Sequence, residues 1–413
     1  MRALGVVLIL GSALPAAERN AGPGAVLWRF QPPQGTGNIP LIATDGQQGL
    51  YVALGPMKIG TGGISSVVYR LNPKEGSLVW SRDLGDCVLF GPPVATGKHL
   101  LLATHERLSF GSQTRALALD PATGAIRWER PLPGLRRLPH HTGAEGRTCG
   151  VSGGGYVLMV CRRDPTVPEP GLRILESKAL CLDGETGAER WAFATSGLSS
   201  ACSSDGDRVL VADRSRAQRE WVCLDAVTGK PLWRQTSSAE AGLAFGRAFF
   251  FENTTVAEMN RTDSCRQMRC HDPATGQLQW SYPTESVLGV FQGDFVCRTS
   301  GKRNSSRSVP GDGVLLSARD GKKRQALPCL ASGYGAWFGA ILAKGNLLCF
   351  RGSELRCLAL PDGDQLWRFM APKGTIEDVQ PLGELLLVGC APPLDGSKAS
   401  VHALYLPSPS GER

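Results

Sequence analysis

The sequence predicts an all-β fold: an eight-bladed β-propeller of four-stranded antiparallel blades, closed by its N-terminal strand. Three observations carry that expectation. A ten-residue phrase recurs as LDPATGAIRW (Leu119–Trp128), LDGETGAERW (Leu182–Trp191), LDAVTGKPLW (Leu224–Trp233) and HDPATGQLQW (His271–Trp280), with looser copies at Leu71–Trp80 and Leu360–Trp367. The closing tryptophans, together with Trp28, recur roughly every 40–60 residues, a propeller-like period, apart from a final gap about twice as wide. Each interval holds about four short apolar or β-branched runs broken by glycine turns, and helical periodicity is absent beyond the first residues.

The elements follow in chain order. Arg2, the apolar run Leu4–Leu10 and the small residues Gly11, Ser12, Ala13, Ala16 and Ala17 have the form of a secretory signal peptide, residues 1–17. The run is far shorter than the roughly 20 residues that cross a bilayer. The first cysteine is Cys87, so no lipid-attachment site is expected, and the chain is expected to be secreted or periplasmic. Ala25–Phe30 is a lone strand ending in the Trp28 pattern with nothing before it. The second unit shows the full pattern: PPVAT, HLLLAT, RALALD, the turn PATG, then AIRWER. The wide gap before Trp367 is filled by LSARDGKKRQ (Leu316–Gln325), in which Gln325 stands where the other units have tryptophan. The last unit supplies three strands, so Trp28's strand is expected to complete it and remove the exposed sheet edges. The expected boundaries are one propeller domain over 25–406 and a short tail over 407–413.

The repeated turn has a physical reason. Asp120 can bond backbone groups two residues on, and Gly124 supplies the positive φ that closes the hairpin. Trp128 follows four residues later, expected on the face of Ile126 by strand alternation, where a flat ring fills the space between sheets. The corresponding sets are Asp183, Gly187 and Trp191; Asp225, Gly229 and Trp233; and Asp272, Gly276 and Trp280, with Trp80 and Trp367 closing the looser copies.

The unit Ala118, Asp120, Thr123, Gly124, Trp128 resembles the tryptophan-docking motif of the PQQ-like (quinoprotein-type) propeller superfamily, over nearly the whole mature chain. The resemblance implies an eight-bladed ring with each tryptophan stacked on the neighbouring blade. It also implies that Cys181, Cys223, Cys270 and Cys357, at the register of Ala118, act as small buried apolar residues. Among the 13 cysteines, Cys149 and Cys161 are the best candidates for a disulfide. Within the superfamily, the pyrroloquinoline-quinone-dependent dehydrogenases carry an adjacent Cys-Cys pair, Ca²⁺ ligands and a catalytic Asp. This chain has no such pair, and the ligand set does not map onto it. The BamB-like outer-membrane assembly scaffolds match it in size and repeat, but they carry a lipobox cysteine that this chain lacks. The expectation is a non-catalytic binding scaffold with no cofactor. The alternative is a quinone-dependent oxidoreductase with pyrroloquinoline quinone and Ca²⁺ at the central channel.

Net charge is +8, without a block of like charge, so a nucleic-acid-binding tail is not expected. Basic residues concentrate in the loops between second and third strands and in the connection before the third blade. They are Arg136, Arg137, Arg162, Arg163, Arg214, Arg216, Arg219, Lys302, Arg303 and Arg307. Such loops emerge on one propeller face, and clustered arginines can receive carboxylates or phosphates from a protein or anionic partner. The competing interpretation is a solvated mixed-charge surface. His140-His141 is read as a polar loop, with a metal site as the rarer alternative. Tyr334 and Trp337 suit a small-ligand or glycan binder, or the inner strand of the seventh blade. No G-x-S-x-G, H-E-x-x-H or phosphate-loop motif occurs. The molecule is expected to be a monomer without a transmembrane segment.

Overall fold

A computed structural model describes residues 22–33, 38–45, 49–56, 66–89, 93–106, 114–132, 148–163, 174–195, 202–214, 219–237, 240–244, 246–258, 261–284, 286–291, 293–299, 303–304, 307–308, 313–327, 339–359, 364–392 and 398–406. The expected signal peptide, the tail, and the residues Arg136, Arg137, His140, His141, Arg216, Lys302, Tyr334 and Trp337 lie outside them.

The described residues form eight antiparallel four-stranded blades. Blade 1 runs through Asn38–Thr44, Leu50–Pro56, Val67–Leu71 and Leu78–Asp83. Alternation of partly buried and exposed residues along the outermost strand Leu78–Asp83 marks a sheet with one wall against its neighbour. In blade 2 the expected single first strand is split, because Cys87–Leu89 and Val94–Ala95 both pair with Leu100–Glu106. First strands of neighbouring blades pack on one another around the ring axis, as Thr148–Val151 does on Cys202–Ser204.

The ring closes as expected. Val26–Phe30 is the outermost strand of blade 8, beside Ser400–Tyr405, Leu385–Ala391 and Thr375–Leu382. Trp28 lies opposite Ala403, and Phe30 lies opposite Val401. Two apolar clusters flank this blade, one containing Trp28, Phe30, Leu387 and Val401, the other Trp367, Phe369, Leu386 and Leu404. Burying each large side chain stabilises by about 1.5–3 kcal/mol, so the closing strand is held by its core as well as by its ladder.

Two expectations are corrected. In blade 2, Ile126 pairs with Leu119 and Trp128 with Ala118, with a register shift between them. Arg127 is the extra residue of a bulge, so Ile126 and Trp128 point to opposite faces. Ile126 is exposed while the tryptophan turns inward. The proposed Cys149–Cys161 bridge is also excluded by register. Cys149 faces Val157, whereas Cys161 lies four residues further along the same strand, opposite Ser177. Four residues of strand span about 13 Å, well beyond the Cα separation of a disulfide.

Candidate functional site

The recurring motif forms the seams between blades. In blade 2, Asp120 Oδ1 accepts the N–H groups of Ala122 (2.8 Å) and Thr123 (2.9 Å). The Gly124 N–H donates to the Asp120 carbonyl at 2.9 Å, and Gly124 has φ +71°. The Trp80 indole from blade 1 lies flat on that glycine, where an added Cβ would come within 2.7 Å of the ring. Its indole N–H donates to the Pro121 carbonyl at 3.0 Å. The arrangement repeats with Trp28 on Gly76, Trp128 on Gly187, Trp191 on Gly229, Trp233 on Gly276 and Trp280 on Gly321. The small residue of the motif sits across the strand from its own tryptophan, in the pairs Ala118–Trp128, Cys181–Trp191, Cys223–Trp233, Cys270–Trp280 and Cys357–Trp367. Blade 1 departs from this, since Arg70 faces Trp80 and reaches the Ala122 carbonyl of the next blade at 3.3 Å.

These groups are spoken for chemically. Hydrogen bonds from Arg127 hold the Asp120 carboxyl down at about 2, and Arg190 does the same for Asp183. The Thr228 hydroxyl and N–H keep Asp225 low. Burial pushes the Cys181 thiol up to about 11, and those of Cys223, Cys270 and Cys357 to about 12. A thiol that stays protonated is neither a nucleophile nor a metal ligand at neutral pH.

The backbone places several predicted surface residues. Arg162 and Arg163 end the second strand of blade 3 (Gly155–Arg163). Arg214 and Arg219 pair in register at the mouth of the blade 4 hairpin. Arg303 and Arg307 belong to a small ribbon, Arg303–Asn304 with Arg307–Ser308, between the second and third strands of blade 6. All three places are second-to-third-strand hairpins, so they emerge at one end of the ring. The blade 5 hairpin is the longest, with Arg247–Glu258 paired to Arg261–His271. The side chains of Arg162, Arg163, Arg214, Arg219, Arg303 and Arg307 lie outside the described residues.

Sequence reasoning missed one docking position. Gly24 lies under the Trp367 ring with φ +78°, four residues before Trp28 as Gly124 lies four before Trp128. That shared spacing is the signal that could have found it.

Among the described residues no three His, Cys, Asp or Glu side chains converge as a metal-ligand set. The chain also has no adjacent cysteine pair. Among the described residues, no helix is long and apolar enough to cross a membrane.

Comparison with known proteins agrees with this geometry. The family model described as outer membrane protein assembly factor BamB matches residues 16–137, 64–158 and 176–337. No curated protein sequence matches. Among solved structures, BamB from Moraxella catarrhalis is similar over 94% of this chain and 99% of its own, at 16% identity and TM-score 0.55. Quinohemoprotein alcohol dehydrogenase from Comamonas testosteroni is similar over 95% of this chain and 77% of its own, at 13% identity and TM-score 0.55. Sqt1 from Saccharomyces cerevisiae is similar over 94% of this chain and all of its own, at 10% identity and TM-score 0.55. The structural likenesses speak to the fold alone. With the family model spanning most of the repeats, the chain belongs to the BamB family of PQQ-like β-propellers.

Proposed function

We propose that this protein is an exported, non-catalytic scaffold that presents its second-to-third-strand hairpins to a protein partner carrying acidic groups. The observation that carries the reading is the convergence of arginine-bearing hairpins from blades 3, 4 and 6 at one end of the ring. Arginine offers a planar fork of donors suited to carboxylates, and several forks on one rigid face favour a matching acidic surface. The motif carboxylates and thiols are consumed by turns and seams, which leaves little chemistry for catalysis there. Family membership supports the periplasm or the outer membrane's inner surface as the site of action, with a role in assembling outer-membrane proteins.

The test is titration of the mature protein with pyrroloquinoline quinone and Ca²⁺, followed by tryptophan fluorescence and calorimetry. The scaffold reading expects no saturable binding. Saturation at micromolar levels or tighter, about −8 kcal/mol, would overturn it in favour of quinone-dependent oxidation.

A further inference from the structure

Blade 6 carries one side chain that the repeat does not account for. Its strands are Ser286–Phe291, Asp294–Arg298, Gly313–Ser317 and Lys323–Leu327. Arg298 ends the second of them, at the base of the hairpin that holds Arg303 and Arg307. Its place in the ladder is three residues along from the Phe295–Leu316 pair that precedes the motif turn. The same place is held by Ala53, Ala103 and Ala212 in blades 1, 2 and 4. It is held by Met159, Phe251 and Phe350 in blades 3, 5 and 7, and by Gly389 in blade 8. Every other blade thus has an uncharged residue where blade 6 has a guanidinium.

The register also fixes its direction. Ala53 packs with Leu100 and Leu102 of blade 2, and Ala212 packs with Leu243 and Phe250 of blade 5. This position faces the following blade, so Arg298 points into the seam between blades 6 and 7. That seam is the one whose tryptophan place is taken by Gln325.

The charge is buried without a counter-charge. Arg298 is only 6% exposed, and its guanidinium makes no hydrogen bond or ion pair among the described residues. Nε is sealed from solvent and unpartnered, whereas Nη1 and Nη2 are not sealed, so the outer edge of the fork stays open to a ligand. Asp294 shares its face of the strand but lies four residues back, about 13 Å along, beside Arg324. Glu354 of blade 7 is held by Arg356 Nε at 2.8 Å. The neighbour across the third strand is Gly313, which has no side chain to cover the fork. Arginine is almost never buried this deeply unless paired, because an uncompensated charge out of water is costly.

We infer that the seam between blades 6 and 7 is a carboxylate-binding site with Arg298 as its cation. A carboxylate matches the planar fork with two parallel bonds and sets one negative charge against one positive charge. A phosphate dianion would leave a charge uncompensated in the same buried place. On the scaffold reading, on which this part rests, the carboxylate belongs to an acidic side chain of the partner, because Arg298 lies at the end of the ring that presents the arginine hairpins. The site then adds a buried anchor to that surface, the kind of contact that dominates an interface.

The full mature protein is titrated with acetate, and with phosphate at matched ionic strength, while the Arg298 Nε–H signal is followed by NMR. A sealed Nε–H exchanges slowly and gives a resolved signal, assigned by its loss in Arg298→Met. Acetate is expected to shift that signal saturably near millimolar concentration, with phosphate at least about tenfold weaker. Arg298→Met gives blade 6 the residue that blade 3 holds at this register, so it should fold, melt higher than the wild type in carboxylate-free buffer and lose stabilisation by acetate. A lower melting temperature for Arg298→Met would show that the charge is satisfied within the chain, and overturns the proposal. So does an Nε–H signal that acetate leaves unmoved, or phosphate binding as tightly as acetate. Crosslinking from the hairpin end reads the source of the carboxylate. A partner adduct that Arg298→Met abolishes assigns it to the partner, and an adduct that it leaves intact assigns the site to a free small carboxylate. Capture of no partner by the wild type would contradict the scaffold reading and leave the acetate result standing.

Discussion

The Trp367 indole lies flat against the α-carbon of Gly24, and Gly24 belongs to a turn whose two halves come from opposite ends of the chain. The Gly24 N–H donates to the Tyr405 carbonyl at 2.9 Å, and the Tyr405 N–H donates to the Ala25 carbonyl at 3.0 Å. In blade 2 the Gly124 N–H donates to the Asp120 carbonyl at 2.9 Å, and the Asp120 N–H to the Ala125 carbonyl at 2.8 Å. Tyr405 and Gly24 thus rebuild, without a covalent link, the turn that blades 1 to 6 each make within one strand pair. Ring closure is a docking motif split between the chain ends.

Gly24→Ala should destabilise the ring by roughly 1–3 kcal/mol, the range for a non-glycine residue held at positive φ. An added Cβ would also come within 2.6 Å of the Trp367 ring. Gly22, whose Cβ would meet nothing within 4 Å, is the control. Calorimetric melting of both alanine variants checks this. Equal melting temperatures would show that closure does not depend on the split motif.

Gln325 occupies the tryptophan place in blade 6, opposite Leu315, with its side-chain nitrogen buried and unpartnered among the described residues. Gln325→Trp should therefore stabilise, by about 1–2 kcal/mol from added apolar burial and removal of the orphaned amide. Thermal denaturation reads the effect. A lower melting temperature would mean that this seam is shaped for glutamine.

His402 gives the fold an acid sensitivity. It is buried against Phe369 and paired with Ser400 Oγ at 3.0 Å, and burial pushes its pKa from 6.5 down to about 4. Between those values the unfolded chain holds the extra proton, so stability rises with pH. The contribution is fully present above the unfolded value and is lost as pH falls toward 4, up to about 3 kcal/mol. His271, lowered chiefly by burial, acts in the same direction. Asp378, raised by burial while it accepts the Ile42 N–H at 2.9 Å, acts in the opposite one. Urea denaturation at about pH 7 and about pH 5 should show the wild type losing more stability than His402→Gln. Parallel losses would remove His402 as the cause.

The seam cysteines should be inert in the folded state. Cys181, Cys223, Cys270 and Cys357 are buried free thiols with raised pKa values. Iodoacetamide labelling read by mass spectrometry should leave these positions unmodified in buffer and modify them in denaturant. Rapid labelling of the native protein at any of them would contradict the packing described for the seams.

Much of the fold was legible because it is local and repeated. Asp120, Gly124 and Trp128 sit within one phrase, and their spacing encodes turn, positive φ and ring at once. The bulge at Arg127 was not legible, because alternation assumes an unbroken ladder and only the register with Leu119 and Ala118 exposes the extra residue. The Gly24–Tyr405 turn was hidden because its halves meet only after the ring closes. The arginine hairpins were legible as second-to-third-strand loops of one face, because the repeat sets the order of strands within each blade.

The most direct test of the scaffold reading is site-specific photocrosslinking in the native host, with the crosslinker placed at Arg216, between Arg214 and Arg219 in the sequence, or at Thr123 on the opposite face. The account predicts a discrete protein adduct from position 216 only, lost when Arg214→Glu and Arg219→Glu are introduced together. No adduct at position 216, or one that the charge reversal leaves intact, would contradict it.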